Sequence, residues 1–274
     1  MQPGPASDDA ELRPARRARP ARPRPGRGRR PALAAVLVLA LCGLGIATKG
    51  ALTQVMPRRF TLAQQRAIQS WVIGRRWRTL PEITIFPDSV PYQLPSEALD
   101  GGASVALAAR RLGIGSPVGC ARGTNPAAAR ILSAYDCATV LRATYADSTG
   151  SMLVTVGVAV LPSSSAATAA ANRLADGEPQ PAAGSLSPAP VPGTLAAGFS
   201  GSQRQLSWAT HTGSYVIMAT AGYADGRPQE DLTAGSDSYL YAEMSNLELG
   251  IGDTVSGVLG KVPPTPSCPG APGC

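Results

Sequence analysis

The sequence predicts an α+β fold, in which one transmembrane helix is followed by an antiparallel sheet of two hairpins packed against helices. Three observations predict it. An uncharged apolar run follows an Arg-rich stretch near the N-terminus. Two pairs of β-rich runs are each joined by a short turn, and each pair precedes a segment with helix-starting residues. This order is compatible with an internal duplication of a ββα unit, with the helices on one face of the sheet.

The N-terminal segment, residues 1–31, is rich in Arg and Pro and carries nine Arg against three acidic residues. Such a low-complexity, charged composition predicts a disordered tail. Positive charge beside an apolar helix is retained in the cytoplasm. We therefore expect a single-pass protein of the cell membrane, with the N-terminus cytoplasmic and the C-terminal domain extracellular.

The apolar run, residues 32–48, is the predicted transmembrane helix. About 18 helical residues reach roughly 27 Å, close to the ~30 Å of a hydrocarbon core. Four alternatives remain: a cleavable signal peptide with small residues at Gly45–Ala47, a lipoprotein site at Cys42, a twin-arginine signal at Arg29–Arg30, and a buried core helix. The long charged flank favours an uncleaved anchor.

The net charge of +7 is distributed unevenly along the chain. Residues 79–274 carry nine basic and fifteen acidic side chains, so nucleic acid is a poor partner for them. The basic residues that follow the apolar run have no acidic residue among them: Arg58, Arg59, Arg66, Arg75, Arg76 and Arg78. We expect membrane lipids to be the partners of the anchor and of its Arg-rich flanks.

Residues 49–80 are predicted to hold a juxtamembrane helix, centred on Thr61–Arg78. Apolar side chains fall roughly on one side of it, including Leu62 and Trp71. One interpretation is a helix on the outer leaflet, with Trp71 and Trp77 at the level of the lipid headgroups. The other is the first core helix of the domain, with solvated Arg side chains.

Residues 81–260 are predicted to form one extracytoplasmic α+β domain. Glu82–Phe86 alternates polar and apolar residues before a proline, which predicts a short edge strand. Ala103–Leu112 ends at a glycine and is predicted to be a helix. Asn125–Pro126 combines a capping residue with a first-turn proline, so a helix is expected to begin there.

The first predicted hairpin joins Ala138–Ala146 to the almost wholly apolar Met152–Leu161 through the turn Asp147–Gly150. The apolar second run predicts a central strand. Ser163–Leu174 is then expected to form a helix behind a serine cap.

A long loop with five prolines, Asp176–Gly193, separates the two hairpins. The second hairpin is predicted from Gln205–Thr210 and Tyr215–Tyr223. A helix capped by Asp237 is expected to run to about Leu249.

Four cysteines lie on the predicted outer side, where disulfides persist. They allow three pairings, and we favour Cys120–Cys137 and Cys268–Cys274 because the partners are close in sequence. The second pair lies in a predicted flexible Pro/Gly/Cys tail, residues 261–274. None of the cysteine spacings is typical of a zinc site.

No set of residues predicts catalysis, and we expect no enzyme activity, cofactor or metal. The single histidine, His211, is expected at a strand end. Glu230 and Asp231 form the centre of an acidic loop, near Asp225, Asp237 and Glu243, that provides a weak alternative for acid–base chemistry or Ca²⁺. The aromatic residues near the second hairpin fit core packing better than a ligand groove: Trp208, Tyr215, Tyr223, Tyr239 and Tyr241.

Three stretches resemble an uncharacterised actinobacterial family of single-pass membrane proteins with an extracytoplasmic α+β domain. They are the residues from Cys137 to Gly150, Val154–Pro162 and Tyr215–Pro228. The element order also resembles the outer sensor domains of actinobacterial membrane kinases. The resemblance implies an anchored outer domain and brings no catalytic residues.

These observations predict a membrane-anchored extracytoplasmic domain that binds a protein or envelope partner, or acts like a sensor, without catalysis. The alternative is a cell-envelope hydrolase or transferase that uses the acidic loop near Glu230. The two hypotheses differ in whether the carboxylates of that loop are essential.

Overall fold

A computed structural model of the chain describes residues 34–42, 60–93, 105–175, 184–228 and 238–265. The chain divides into two compact units, Met1–Pro57 and Arg58–Cys274. In the first unit, residues 34–42 form helix α1. None of the helices in the described ranges combines the length and the apolar character needed to cross a bilayer. The transmembrane helix over residues 32–48 therefore stays a prediction.

The second unit is α+β, and its strands form one antiparallel sheet in the order β1-β2-β3-β4-β6-β5. The strands are β1 (Ser89–Gln93), β2 (Ala106–Val118), β3 (Thr139–Ala146), β4 (Met152–Val160), β5 (Arg204–Thr212) and β6 (Tyr215–Tyr223). The helices are α2 (Leu62–Ile73), α3 (Arg76–Thr79), α4 (Glu82–Ile85), α5 (Cys120–Gly123), α6 (Pro126–Ala134), α7 (Ser164–Ala175) and α8 (Ser238–Gly260). The α+β class, the antiparallel sheet and both predicted hairpins are confirmed.

Two predicted elements are of the wrong type. Glu82–Phe86 forms the helical turn α4 instead of a strand; Ile85 and Phe86 are both fully buried, whereas neighbouring strand residues would point to opposite faces. In the predicted helix Ala103–Leu112, the residues from Ala106 onward belong to β2 instead, and residues 103–104 lie outside the described residues. Because β2 pairs with β1 on one side and β3 on the other, sheet pairing overrides the helix propensity of its alanines.

Local sequence signals account for the confirmed elements. The Asn125 side chain accepts a hydrogen bond from the Ala128 backbone N–H and caps α6, and Ser163 caps α7 in the same way through Ala166. In the first hairpin turn, the Asp147 carboxylate accepts hydrogen bonds from the backbone N–H groups of Thr149 and Met152. These short-range contacts fix where the elements begin.

The helices cover both faces of the sheet, so the expectation of helices on one face is wrong. On the first face, α8 packs its apolar side chains against residues of β1, β4 and β6. On the second face, α6 and α7 pack against the intervening residues. Two neighbouring antiparallel hairpins related by a duplication would carry their helices on the same face. The opposite placement of α7 and α8 does not support the predicted duplication.

Candidate functional site

The disulfide predicted between Cys120 and Cys137 is present and joins α5 to the residue pair that precedes β3. Cys120 is buried with the cluster that α6 and α7 form on the second face. Closure of the 17-residue loop stabilises the fold by about 3 kcal/mol on a chain-entropy estimate. The other predicted pair, Cys268 and Cys274, lies outside the described residues.

The residues of the predicted acidic loop are not brought into one described site. Glu230, Asp231 and Asp237 lie outside the described residues. Asp225 is exposed and forms an ion pair with Arg227, and this hydrogen-bonded partner lowers the pKa of the carboxyl. His211 is exposed on β5. Within the described ranges no group of three or more His, Cys, Asp or Glu side chains is placed to hold a metal ion.

The aromatic residues of the second hairpin belong mainly to the core. Tyr215 is fully buried on the first face, with Trp208 and Tyr223 packed against the same cluster. The side chains of Tyr239 and Tyr241 lie outside the described residues. The described aromatic residues therefore agree with core packing.

One cluster of polar side chains, which the sequence does not signal, lies where β1, the β3–β4 turn and α8 meet. The Tyr92 hydroxyl lies 3.5 Å from the Ser148 side-chain oxygen. Burial raises the pKa of Glu243, and repulsion from the Asp147 carboxylate adds to the effect, while a hydrogen bond with Tyr92 opposes it. The Asp147 oxygens are already used by backbone N–H groups of the turn. This cluster therefore stabilises the turn.

A second unpredicted feature is the buried carboxyl of Glu248 on α8, which is only 3% exposed. It accepts a hydrogen bond from the backbone of Ala221 on β6, opposite an irregularity in β5 between Arg204 and Leu206. Its Oε1 has no hydrogen-bond partner. Burial raises the pKa of Glu248 to about 8, so the group is a neutral acid at neutral pH.

The second face of the sheet carries a buried polar stripe, formed by Thr144, Thr155 and Thr220. An irregular segment, residues 184–200, lies across it; we call this the covering segment. The Thr144 and Thr220 hydroxyls donate to the carbonyls of Ala189 and Leu186, at 2.6 and 2.8 Å, and the Ala189 N–H donates to the Thr155 hydroxyl at 3.1 Å. The threonine stripe thus provides hydrogen-bond partners for backbone groups of a segment that has no regular secondary structure.

Two arginines complete the contacts of the covering segment. Arg142 Nη1 donates to the Ser187 and Pro188 carbonyls at 3.1 and 3.3 Å, and Arg204 Nη1 donates to the Ser185 hydroxyl at 2.7 Å. Burial lowers the pKa of both guanidinium groups. The Nη1 groups thus tie the covering segment to the sheet, whereas the buried Nε of Arg142 has no hydrogen-bond partner.

Helix α2 is different, because none of its twelve residues is buried. Leu62 is 70% exposed and Trp71 is 46% exposed. The Arg75 guanidinium lies over the Trp71 ring, 4.0 Å from its centroid. We call the exposed surface of α2, with Arg66 on the helix and Arg75 just beyond its C-terminal end, the basic helix surface. It is the described part of the chain that best fits an interaction with another molecule.

Among the described residues, the closest contacts between this helical region and the core are at the C-terminal end of α2 and in the α3 turn that follows. The Tyr215 hydroxyl donates to the Ile73 carbonyl at 2.5 Å. Arg76 Nη1 donates to the Val258 and Leu259 carbonyls, at 3.2 and 2.9 Å, which satisfies carbonyl groups in the last turn of α8. The predicted helix over Thr61–Arg78 is interrupted at Gly74, where α2 gives way to α3.

Comparisons with protein-family models, with curated proteins and with solved structures found no match. The site must therefore be interpreted from its own geometry. The basic helix surface follows the apolar run in the sequence, carries exposed aromatic and cationic side chains, and has no buried residue.

Proposed function

We propose that this chain is a membrane-anchored binding domain without catalytic activity, which lies outside the cell and recognises a protein or envelope component. The apolar run, residues 32–48, is the anchor in this proposal. The Arg-rich tail stays in the cytoplasm, and the unit Arg58–Cys274 is outside.

One observation carries the proposal: the helix that follows the apolar run in the chain, α2, has no buried residue. An isolated helix of twelve residues is only marginally stable in water unless it packs against another surface. In the described chain one side of α2 is only half-buried: Ile73 packs against the core and the Gln69 side chain donates a hydrogen bond to the Pro263 carbonyl. We infer that the remaining surface of α2 contacts another molecule when the protein is in place.

The disulfide gives independent support for an outer location. Cys120–Cys137 is a bonded pair, and such bonds persist mainly in oxidising compartments. The resemblance to single-pass actinobacterial membrane proteins agrees with this location, but it stays a prediction. The alternative, an envelope hydrolase acting through Glu230, depends on residues outside the described ranges.

The anchor is tested by alkaline carbonate extraction of membranes that contain the full chain. We expect the full chain to remain in the membrane pellet, because carbonate removes peripheral proteins and leaves inserted helices in place. A variant that lacks residues 32–48 should appear in the soluble fraction. Recovery of the full-length chain in the carbonate supernatant would contradict the proposal, and loss of the first ~47 residues would indicate a cleaved signal peptide instead.

A further inference from the structure

We propose that α2 lies along the outer leaflet of the bilayer that holds the anchor, with Trp71 at headgroup level and with Arg66 and Arg75 against the phosphates of anionic lipids. The inference rests on the proposed function, because it requires the domain to be tethered outside. It identifies the partner of the basic helix surface as a lipid surface of negative charge.

The exposed side of α2 combines an aromatic ring with a cation and small side chains. At 3.6 residues per turn, the half-buried residues Gln65, Ile68, Gln69, Val72 and Ile73 fall on one side of the helix. The opposite side carries Ala63, Arg66, Ala67, Ser70 and Trp71, all exposed, whereas the exposed Leu62 lies on the half-buried side at the N-terminal end of the helix. The exposed side therefore presents the Trp71 ring and the Arg66 guanidinium, with small residues between them and no acid.

The charge of this region is not neutralised within the described chain. Arg66, Arg75 and Arg78 are exposed, and none of them takes part in an ion pair with another described residue. The sequence from residue 50 to residue 81 contains six arginines and no acidic residue. Anionic headgroups attract such a segment with about 1 kcal/mol per basic side chain near the surface. The charge of the surface is therefore complementary to that of an anionic leaflet.

The pairing of Arg75 with Trp71 favours lipid headgroups over a dry protein surface. A guanidinium over an indole ring presents the cation and the apolar ring edge together. Tryptophan is enriched where one side of the ring is apolar and the other is wet, which is the environment of the headgroup region. Arg78 stacks on Trp77 in the same way, and the Cζ atom of Arg78 lies 4.5 Å from the centroid of the Trp77 ring.

The length of the chain between the anchor and α2 permits this placement. Thirteen residues, 49 to 61, separate the end of the apolar run from the first residue of α2. A chain of that length spans at most about 45 Å. Contacts of Arg76 and Tyr215 hold the other end of α2 on the domain. A docked α2 would therefore fix which side of the domain faces the membrane.

The inference is tested by quenching of tryptophan emission in vesicles made with lipids brominated near the headgroup. The full chain is reconstituted into vesicles of phosphatidylcholine with about a third phosphatidylglycerol, and the Trp71→Phe variant is measured in parallel. We expect the wild-type chain to be quenched and Trp71→Phe to lose most of the quenched emission. Trp71 is exposed, so this replacement leaves the core unchanged.

Charge variants separate lipid contact from simple proximity to the membrane. We expect Arg66→Gln with Arg75→Gln to lower the ratio of docked to undocked α2 by about fivefold for each arginine removed, and 0.5 M salt to weaken the quenching. The matched control is Arg110→Gln with Arg122→Gln, which removes the same charge from exposed positions outside α2. The control should be quenched like the wild type.

The outcomes distinguish this inference from the proposed function. If the chain inserts into the vesicles and Trp71 is not quenched, the lipid inference is wrong and the anchored domain stands; α2 would then be free for a protein partner. Equal quenching of the Arg66/Arg75 and Arg110/Arg122 variants would also overturn it. If the chain does not insert, the proposed function fails and the inference fails with it.

Discussion

Replacing Glu248 by glutamine should remove most of the pH dependence of stability between about pH 5 and pH 8. The folded pKa of Glu248 is raised to about 8 by burial, from an ordinary value of 4.5. Between these values the folded chain keeps a proton that the unfolded chain releases. The free energy of unfolding therefore falls as the pH rises, by up to about 1.4 kcal/mol per pH unit, and levels off above pH 8.

The measurement is urea unfolding of the full chain in a non-ionic detergent, followed by circular dichroism at a series of pH values. Glu248→Gln should give a much flatter curve, with a remaining slope of the same sign from Glu243, whose pKa is also raised by burial. Asp253→Asn changes an exposed carboxylate on the same helix and should keep the wild-type slope. Identical slopes for the wild type and Glu248→Gln would show that the buried group is not a neutral acid.

Replacing Leu186 by alanine should destabilise the fold by about 2–5 kcal/mol, because Leu186 is fully buried between the covering segment and the sheet. The side chain occupies the space above Gly157, where a Cβ atom would lie 2.5 Å from Leu186 Cδ1. Gly157→Ala alone should therefore cost about 1–3 kcal/mol through overpacking. Unfolding by urea measures both effects.

The double variant tests whether the two residues share one space. In Leu186→Ala with Gly157→Ala, the new methyl group enters the cavity that the leucine leaves. The decrease in the free energy of unfolding should therefore be smaller than the sum of the two single decreases by about 0.5–3 kcal/mol. Leu195→Ala, at a position 56% exposed in the same segment, should change stability by no more than about 0.5 kcal/mol. Additive losses would show that the covering segment does not pack on Gly157.

The hairpins could be predicted from the sequence because their signals are local. Asp147–Gly150 supplies the turn and the side chain that caps it, and the flanking runs pair with each other. By contrast, β2 and α4 depend on distant partners: β2 pairs with β1 and β3, and Arg111 of β2 donates hydrogen bonds to the Phe86 carbonyl and to Asp88. The sequence pattern within either segment does not predict these contacts with distant residues.

The helix α8 shows how a local signal can mislead. Gly250 follows the residue at which the helix was predicted to end, yet α8 continues to Gly260. The glycines are needed for packing: a Cβ at Gly252 would lie 2.3 Å from Cζ3 of Trp208, and one at Gly250 would lie 2.9 Å from Cβ of Tyr92. Close approach of helix and sheet outweighs the propensity cost of glycine, about 1 kcal/mol each.

The candidate site could be predicted only in part. The basic and aromatic composition of α2 is visible in the sequence, and the two interpretations of that helix follow from it. Which side stays exposed is decided by contacts with residues more than a hundred positions away, such as Tyr215 and Pro263. The buried Glu248 has no sequence signal, since a glutamate in an amphipathic helix is normally solvated.

Labelling with a membrane-impermeant maleimide in intact spheroplasts tests whether residues 32–48 hold the domain on the outer side of the membrane. In a chain with Cys42, Cys268 and Cys274 replaced by serine, one variant carries Asp253→Cys on the exposed side of α8 and another carries Ala10→Cys in the tail. We expect the cysteine at position 253 to be labelled in intact spheroplasts and the one at position 10 to be labelled only after lysis. The reverse pattern would contradict the topology, and labelling of neither position before lysis would place the domain inside the cell.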